Sequence, residues 1–344
     1  MVKPGSNVKD FPLIHLGEPQ DQDYASKIKP LVLAAKKIAL IGHERPDGDS
    51  LGSTIGLCSI LRHQGFDASV WASDPLPSRY RFLKYEEYVK PVPPGTRVEG
   101  DLALVLDNTG LDRIGAPVEG IFKREQIVNI DHHVSNLQFG SINWVEPTAA
   151  AAAELTWRLA SACGWKAPLF ALECLYTGLV TDTGQFSYSN TSARVLRMAA
   201  EALQAGVVAE KIWKKVYLEK SSSELELEAR ARSSMEVWGN GKIGVVSVSQ
   251  RDFAETHTGP EASTDFASIP RLLEGVELAL FFYEIKDGRH TKISIRSSNL
   301  CDAAELAKPY GGGGHKQAAG CALMVPLEEA KARFKPVVEK LFKR

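Results

Sequence analysis

Short runs of apolar, often β-branched residues recur through the first half of the chain. Lys37–Gly42 (KIALIG), Ala68–Ala72 (ASVWA), Leu102–Leu106 (LALVL) and Ile127–Ile130 (IVNI) have the length and composition of strands. LALVL has no polar position, as expected of a strand covered on both faces. Between these runs the spacing turns helical. Helices are predicted at about 25–36, from Ser50 to about Gln64, from Pro147 to near Cys163, from Pro168 to about Val180, and over Ala193–Gln204 and Ala209–Leu218. Asp49 or Ser50 can cap the second of these and Gly65 can end it. Strands alternating with helices predict an α/β domain with a parallel sheet and helices on both faces.

The pattern changes at 221–236. SSSELELEARARSSME is polar and charge-dense, and reads as a helical connector. Beyond it lie strand patterns at Ile243–Val248, Val276–Ile285 and Lys292–Ser297, with Asp287-Gly288 marking a tight hairpin turn between the last two. A short helix, a glycine run (GGGGHK, 311–316) and an amphipathic helix at about 326–342 complete a smaller α+β domain. The boundaries expected are an N-terminal extension (1–27, polar and loosely ordered), a catalytic domain (28–218), a helical linker (219–238) and a substrate-binding domain (239–344).

Four polar clusters follow apolar runs: GHERPDGDSLGS (42–53), LDNTGLDRIG (106–115), IDHH (130–133) and VTDTGQF (180–186). In an open α/β sheet, ligands bind beyond the ends of the strands. Each cluster has an ordinary explanation when taken singly. Asp47 and Asp49 sit in a Pro-Gly turn that could cap a helix, Asp107 and Asp182 could do the same, and His132 and His133 could be solvated. Taken together, they converge on one metal site. Aspartate and histidine without thiolate suit Mn²⁺, Mg²⁺ and related ions better than structural zinc. Two cations about 3.5–4 Å apart suit in-line displacement at phosphorus, and a central aspartate suits the bridge between them. Adjacent histidines are expected to point apart, one toward metal and one toward substrate.

A formal net charge of -1 argues against a protein that wraps long nucleic acid. Five cysteines with no CxxC pair read as reduced thiols in a cytoplasm. No stretch has the roughly 20 apolar residues of a membrane span, and no secretory signal is expected. Trp157, Trp213, Trp238 and Phe281 read as core or interface packing rather than a base-stacking platform. GGGGHKQAAG (311–320) is not a P-loop, because Gln317 stands where Ser or Thr is required.

The set of motifs resembles the DHH phosphoesterase superfamily, named for Asp131-His132-His133, over about 25–344. GGGGHKQAAG, IRSS (295–298) and EGVELALFF (274–282) resemble the DHH-associated domain. Size and layout look most like the NrnA-type nanoRNase and phosphoadenosine-phosphate phosphatase branch. The resemblance implies that His43 and Asp47 hold one cation, that Asp49, His132 and Asp182 hold the other, and that Asp107 bridges them. It implies catalytic roles for His133, at the scissile phosphate or leaving group, and for Asp131, orienting a neighbouring histidine. Arg113 matches a family position without a clear role.

In the second domain the resemblance implies substrate binding by Arg296, Ser297, Gly312, Gly313, Gly314 and His315. The implied cofactor is a pair of Mn²⁺ ions, with Mg²⁺ or Co²⁺ as alternatives. The implied partners are short RNA oligonucleotides, nucleotide bisphosphates and a second copy of the chain, with no membrane. The implied activity is hydrolysis of short oligoribonucleotides to mononucleotides and dephosphorylation of adenosine 3′,5′-bisphosphate. Alternatives are a phosphodiesterase for cyclic or linear dinucleotides (c-di-AMP, pApA, pGpG), a RecJ-like single-strand exonuclease and a catalytically silent nucleotide sensor. An inorganic pyrophosphatase is disfavoured by the glycine-run domain.

Overall fold

A strand without polar positions cannot leave a face in water, and the sheet of the first unit buries both of its faces. The computed structural model describes residues 10–13, 18–74, 76–92, 98–114, 122–285, 288–298 and 300–342. The chain divides into two units, Met1–Glu219 and Lys220–Arg344.

The first unit runs β1 (Asp10–Pro12), α1 (Pro19–Ala34), β2 (Ile38–Ile41), α2 (Gly48–His63), β3 (Ala68–Ala72), α3 (Tyr85–Tyr88), β4 (Val89–Pro91), β5 (Leu102–Leu106), β6 (Ile127–Asp131), β7 (Ile142–Val145), α4 (Ala152–Ala162), β8 (Lys166–Pro168), α5 (Leu169–Asp182), α6 (Ala193–Ala205) and α7 (Ala209–Trp213). The last helix continues as a π-helical turn, Lys214–Leu218. Six strands form one sheet in the order β4-β3-β2-β5-β6-β7, and every neighbouring pair is parallel. From β2 the chain moves outward through β3 to β4. It then returns to the centre at β5 and moves the other way. This reversal sets β2 beside β5, with Ile38 opposite Leu102 and Ile41 opposite Val105. Such a switch point opens a crevice beyond the carboxyl ends of the two strands.

Leu40, Leu104, Val128 and Ile130 pack in one core with Ile55 and Leu57 of α2, Trp157 of α4 and Leu175 of α5. The alternate positions Ala39, Ile41, Ala103 and Val105 pack with Trp71, Val92, Val98, Ile114 and Phe122. Helices α2 and α5 approach closely because Gly52 and Gly178 lack side chains. A Cβ on Gly52 would lie 2.5 Å from the Cys174 carbonyl oxygen, and one on Gly178 would lie 2.7 Å from Asp49 Oδ1.

Three local differences from the sequence reading have tertiary causes. Helix α1 starts at Pro19 rather than near 25, and β1 pairs antiparallel with β8, so part of the segment read as a loose extension is built into the unit. Its Asp21 is fully buried against Arg158 of α4, with Nη2–Oδ1 at 2.6 Å and Nε–Oδ2 at 3.0 Å. Helix α4 starts at Ala152 rather than Pro147, because side chains take the N–H groups that begin it. Glu154 Oε2 accepts from Ala150 N, and the Asp49 carboxylate accepts from Ala152 N and Ala153 N. Strands β4, β7 and β8 were not anticipated; they are three or four residues long and carry little periodic signal.

The second unit comprises α8 (Ser222–Ser233), β9 (Glu236–Trp238), β10 (Ile243–Val248), α9 (Gln250–Thr256), β11 (Leu278–Ile285), β12 (His290–Ser297), α10 (Ala303–Ala307), β13 (Gly313–His315), β14 (Ala318–Leu323) and α11 (Leu327–Glu339). Its sheet has the order β13-β14-β12-β11-β10-β9; β10 and β11 are parallel and the other pairs antiparallel. One face packs Leu280, Phe282, Ile293 and Ile295 with Phe334 and Val338 of α11. The other packs Val246, Val248 and Phe281 with Leu227 and Ala231 of α8. The helix read as a connector is therefore part of this unit's core; two apolar positions suffice to seat it. Gly288 is left-handed (φ +73°), as the expected hairpin requires, while Asp287 lies outside the described residues. Trp157, Trp238 and Phe281 are buried as anticipated, but Trp213 is 42% exposed. Among the described residues, no helix is long and apolar enough to cross a membrane.

Candidate metal centre and active site

The switch point gathers the first-unit residues singled out from sequence. His43 follows β2, and its ring Nδ1 donates to the Glu44 carbonyl oxygen at 2.7 Å. That bond fixes the tautomer and leaves Nε2 facing Asp107 Oδ2 at 3.4 Å and Asp47 Oδ1 at 3.7 Å. Asp47 also caps α2: its Oδ1 accepts from the backbone N–H groups of Asp49 and Ser50. The first turn of α2 thus aims one aspartate at the crevice and carries the next, Asp49, into the interior.

Asp107 follows β5 in a left-handed conformation (φ 54°). Few residues other than glycine hold that geometry unless their surroundings impose it, and such strain clusters at functional sites. Here the Asp107 N–H donates to the Ile130 carbonyl oxygen at 3.0 Å, which fixes the turn. The carboxylate then divides its oxygens. Oδ2 faces His43, while Oδ1 faces His132 Nε2 at 3.5 Å and His133 Nδ1 at 3.7 Å.

His132 Nε2 also lies 3.3 Å from Asp182 Oδ2 and 3.9 Å from Asp49 Oδ2. Asp182 is the last residue of α5. Asp49 is fully buried, and both its oxygens already accept N–H groups from the start of α4, Ala152 at 2.6 Å and Ala153 at 2.9 Å. The positive end of that helix favours a carboxylate there, so Asp49 is held rigidly whatever else it binds.

Burial raises the Asp49 and Asp182 carboxyl groups well above the ordinary range, and neighbouring carboxylates add to the effect. Burial works against a charged His43 ring, but Asp107 and Asp47 outweigh it and raise its pKa to about 11. Burial likewise opposes a charged His132, and Asp107 followed by Asp182 and Asp49 drives it well upward. Such a cluster demands positive charge. Asp107 Oδ1 and His132 Nε2 are buried and have no hydrogen-bond partner among the described residues. Among the described residues, three sets have ligand atoms close enough to share an ion: His43, Asp47 and Asp107; Asp49, His132 and Asp182; and Asp107, Asp131, His132 and His133. Buried ligand atoms without hydrogen-bond partners, in an oxygen-rich, thiolate-free set, fit divalent cations.

The two histidines do not point apart as anticipated. The chain turns after β6, their rings lie 4.5 Å apart at 65°, and both reach toward Asp107 Oδ1. Asp131 is fully buried, and its carboxylate is committed elsewhere. Oδ1 accepts from His133 Nδ1 at 2.7 Å and His132 N at 2.8 Å, and Oδ2 accepts from Asn136 Nδ2 at 2.6 Å. The carboxylate thus holds the His133 ring, the His132 backbone and the Asn136 amide in place. Arg113 is exposed, and its carbonyl oxygen accepts from Glu44 N at 2.7 Å, tying the loop after β2 to the loop after β5.

Sequence reasoning overlooked the amides behind the site. Asn108 and Asn129 are fully buried. The Asn108 carbonyl oxygen accepts from Asn129 Nδ2 and Asn136 Nδ2, at 3.2 and 2.9 Å. Asn129 interrupts an otherwise apolar strand, and a polar residue there was the available signal.

The sequence matches the description "DHH family, N-terminal domain" over residues 37–179 and "DHHA1 domain" over 240–344. It is 35% identical to the bifunctional oligoribonuclease and PAP phosphatase NrnA of Thermus thermophilus, over 86% of this chain and 87% of the relative. The chain belongs to the DHH family. The Bacillus subtilis protein of the same name is 28% identical over 83% of this chain and 89% of its own. A solved structure of an exopolyphosphatase-related protein from Bacteroides fragilis superposes with a TM-score of 0.86 at 26% identity, covering 94% of this chain and 98% of that one.

In the DHHA1 unit, Arg296 stands opposite Ala318, which also pairs with His315, so three strands align these positions in one row. The His315 side chain lies outside what is described. Ser297 is buried; its hydroxyl donates to the Lys316 carbonyl oxygen at 3.0 Å and its N–H to the Gln317 carbonyl oxygen at 3.0 Å. These bonds brace the glycine hairpin. Gly314 has φ +145°, and a Cβ there would lie 2.4 Å from the Ala318 carbonyl oxygen; one on Gly312 would lie 2.2 Å from that of Gly320. Packing against β14 therefore explains both glycines, whereas Gly313 faces open space.

Proposed function

We propose that this DHH protein is a two-cation phosphoesterase. It releases mononucleotides from short oligoribonucleotides and removes the 3′-phosphate of adenosine 3′,5′-bisphosphate. The observation that carries the reading is the Asp107 carboxylate, with one oxygen toward His43 and the other, buried and unbonded, toward His132. Relatives named for both activities align over most of the chain.

His43 and Asp47 would hold one cation, Asp49, His132 and Asp182 the other, and Asp107 both. Mn²⁺ suits this set, with Mg²⁺ and Co²⁺ as other occupants. When bound, such a pair activates water and neutralises charge at the phosphorus. The protein's own contribution is positional. The Glu44 carbonyl oxygen and Asp131 Oδ1 accept hydrogen bonds from Nδ1 of His43 and His133 respectively, which directs the opposite nitrogen of each ring. His133, so oriented, contacts the scissile phosphate or passes a proton to the leaving oxygen. In the DHHA1 unit, Arg296, His315 and the hairpin of Gly312, Gly313 and Gly314 bind a substrate phosphate or base, with Ser297 bracing that hairpin. On this reading the enzyme is a cytoplasmic homodimer acting on short RNA and nucleotide bisphosphates.

Chelation is expected to abolish hydrolysis of a linear 5′-phosphorylated dinucleotide, and added Mn²⁺ to restore it. The linear dinucleotide is expected to turn over at least about tenfold faster than its cyclic counterpart. Faster cleavage of the cyclic form would favour the cyclic-dinucleotide phosphodiesterase instead.

A further inference from the structure

Asp182 and Asp49 reach the same imidazole from different elements, and something must keep those elements in register. Asp182 ends α5, while Asp49 is gripped by the first N–H groups of α4. One side chain spans the two backbones. Asn190 Nδ2 donates to the Asp182 carbonyl oxygen at 3.1 Å and to the Ala150 carbonyl oxygen at 3.1 Å. Both partners are acceptors, so the NH₂ group must face them. Its two hydrogens serve one carbonyl each.

The chain between is shaped for this return. Gly184, Gln185 and Phe186 are left-handed in succession (φ 53°, 60° and 62°). Two of them are not glycine, so the turn carries strain that its surroundings must hold. Phe186 N donates to Thr183 Oγ1 at 3.1 Å, and Trp213 Nε1 donates to Gln185 Oε1 at 2.7 Å. The final carbonyl groups of α5 are all engaged. Leu179 accepts from Thr183 N, Val180 from Gln185 N and Tyr217 Oη, Thr181 from Gly184 N, and Asp182 from Asn190.

We infer that Asn190 is a positioning residue for one half of the metal centre, clipping the Asp182 backbone to the α4 turn that holds Asp49, so that the set of Asp49, His132 and Asp182 keeps its spacing. The inference rests on the two-cation reading above. A helix cap alone would affect stability; a clip between two ligand-bearing segments affects one ion specifically. Outer partners of metal ligands typically change affinity or activity by about 10–100-fold when removed.

The test is calorimetric titration of the full chain with Mn²⁺, comparing wild type with Asn190→Ala and Asn190→Asp. Asn190→Asp removes both donors and sets a carboxylate against two carbonyl oxygens. The expected result is that one of two binding steps weakens by about 10–100-fold while the other holds. The kcat at limiting Mn²⁺ falls and recovers in excess Mn²⁺, with the substrate KM unchanged. Two unchanged binding steps, with only the thermal midpoint lowered, would reduce Asn190 to a helix cap and overturn the inference. Uptake of a single ion by the wild type would instead overturn the two-cation reading. In that case a variant that left the single affinity unchanged would overturn the Asn190 inference too, and one that weakened it would keep Asn190 as a positioning residue but overturn its assignment to one half of a two-ion centre.

Discussion

Replacing Asp107 with asparagine is expected to cut hydrolysis of a 5′-phosphorylated RNA dinucleotide by about 10³-fold or more while the fold survives. That loss corresponds to about 4 kcal/mol of transition-state stabilisation. Asparagine tolerates the left-handed backbone that position 107 requires (φ 54°), and the bond from its N–H to the Ile130 carbonyl oxygen does not involve the side chain. What disappears is a negative charge placed between His43 and His132. Asp107→Ala should be equally inactive but less stable, because a left-handed alanine costs about 1–2 kcal/mol. Steady-state kinetics at saturating Mn²⁺, with circular dichroism to confirm folding, decide the matter. Activity of Asp107→Asn within tenfold of wild type would end the bridging role.

The largest expected effect on stability lies away from the chemistry. Arg158 is fully buried in α4 and pairs with Asp21 at 2.6 Å and with Glu146 Oε1 and Oε2 at 2.8 and 2.9 Å; Glu154 Oε1 lies 3.5 Å away. One guanidinium thus serves carboxylates from α1, the end of β7 and its own helix. Its planar fork suits several bidentate contacts, which a lysine cannot reproduce. Removing one partner of a buried ion pair typically costs about 3–5 kcal/mol, because the charges left behind stay desolvated. Arg158→Ala should therefore lower the melting transition of the first unit sharply and leave that of the second in place. Arg158→Lys should fall between. Scanning calorimetry of the full chain resolves this; a first transition within a degree or two of wild type would show that the network contributes little.

The pH dependence follows from Glu146. Burial raises its carboxyl pKa, but Arg158 outweighs burial and holds it below the ordinary value of 4.5. A depressed folded-state pKa contributes stability that is present above the unfolded value and is lost as pH falls through the folded one. The Glu146 share of the difference between wild type and Arg158→Ala is thus full above about 4.5 and closes at lower pH.

The crevice was legible because its residues end strands that sequence marks unmistakably. His43, Asp107 and the Asp131-His132-His133 run each follow an apolar stretch, and parallel strands must deliver such ends to the same side. The supports were not legible, because they link residues far apart in sequence. Arg158 sits in an alanine-rich helix and meets Asp21, 137 positions away, in a segment that reads as solvated. Asp49 meets the start of α4 across 103 positions, which also moves that helix's first residue away from Pro147. Asn190 looks like any loop amide until both its acceptors are seen. In the DHHA1 unit the resemblance marks the glycine run as substrate-binding, and the local pattern does not show that contact with β14 also requires Gly312 and Gly314. Local pattern reports what a residue prefers, and here the tertiary partner decides what it does.

The central claim is that this chain hydrolyses short phosphorylated substrates. The most direct measurement is release of phosphate and mononucleotide, in Mn²⁺, from three substrates in parallel: adenosine 3′,5′-bisphosphate, a 5′-phosphorylated RNA dinucleotide, and a single-stranded DNA some two dozen nucleotides long. Rapid turnover of the first two with little of the third is the predicted result. Comparable turnover of the long strand would contradict the account and point to an exonuclease, and no turnover of any of the three would contradict it outright.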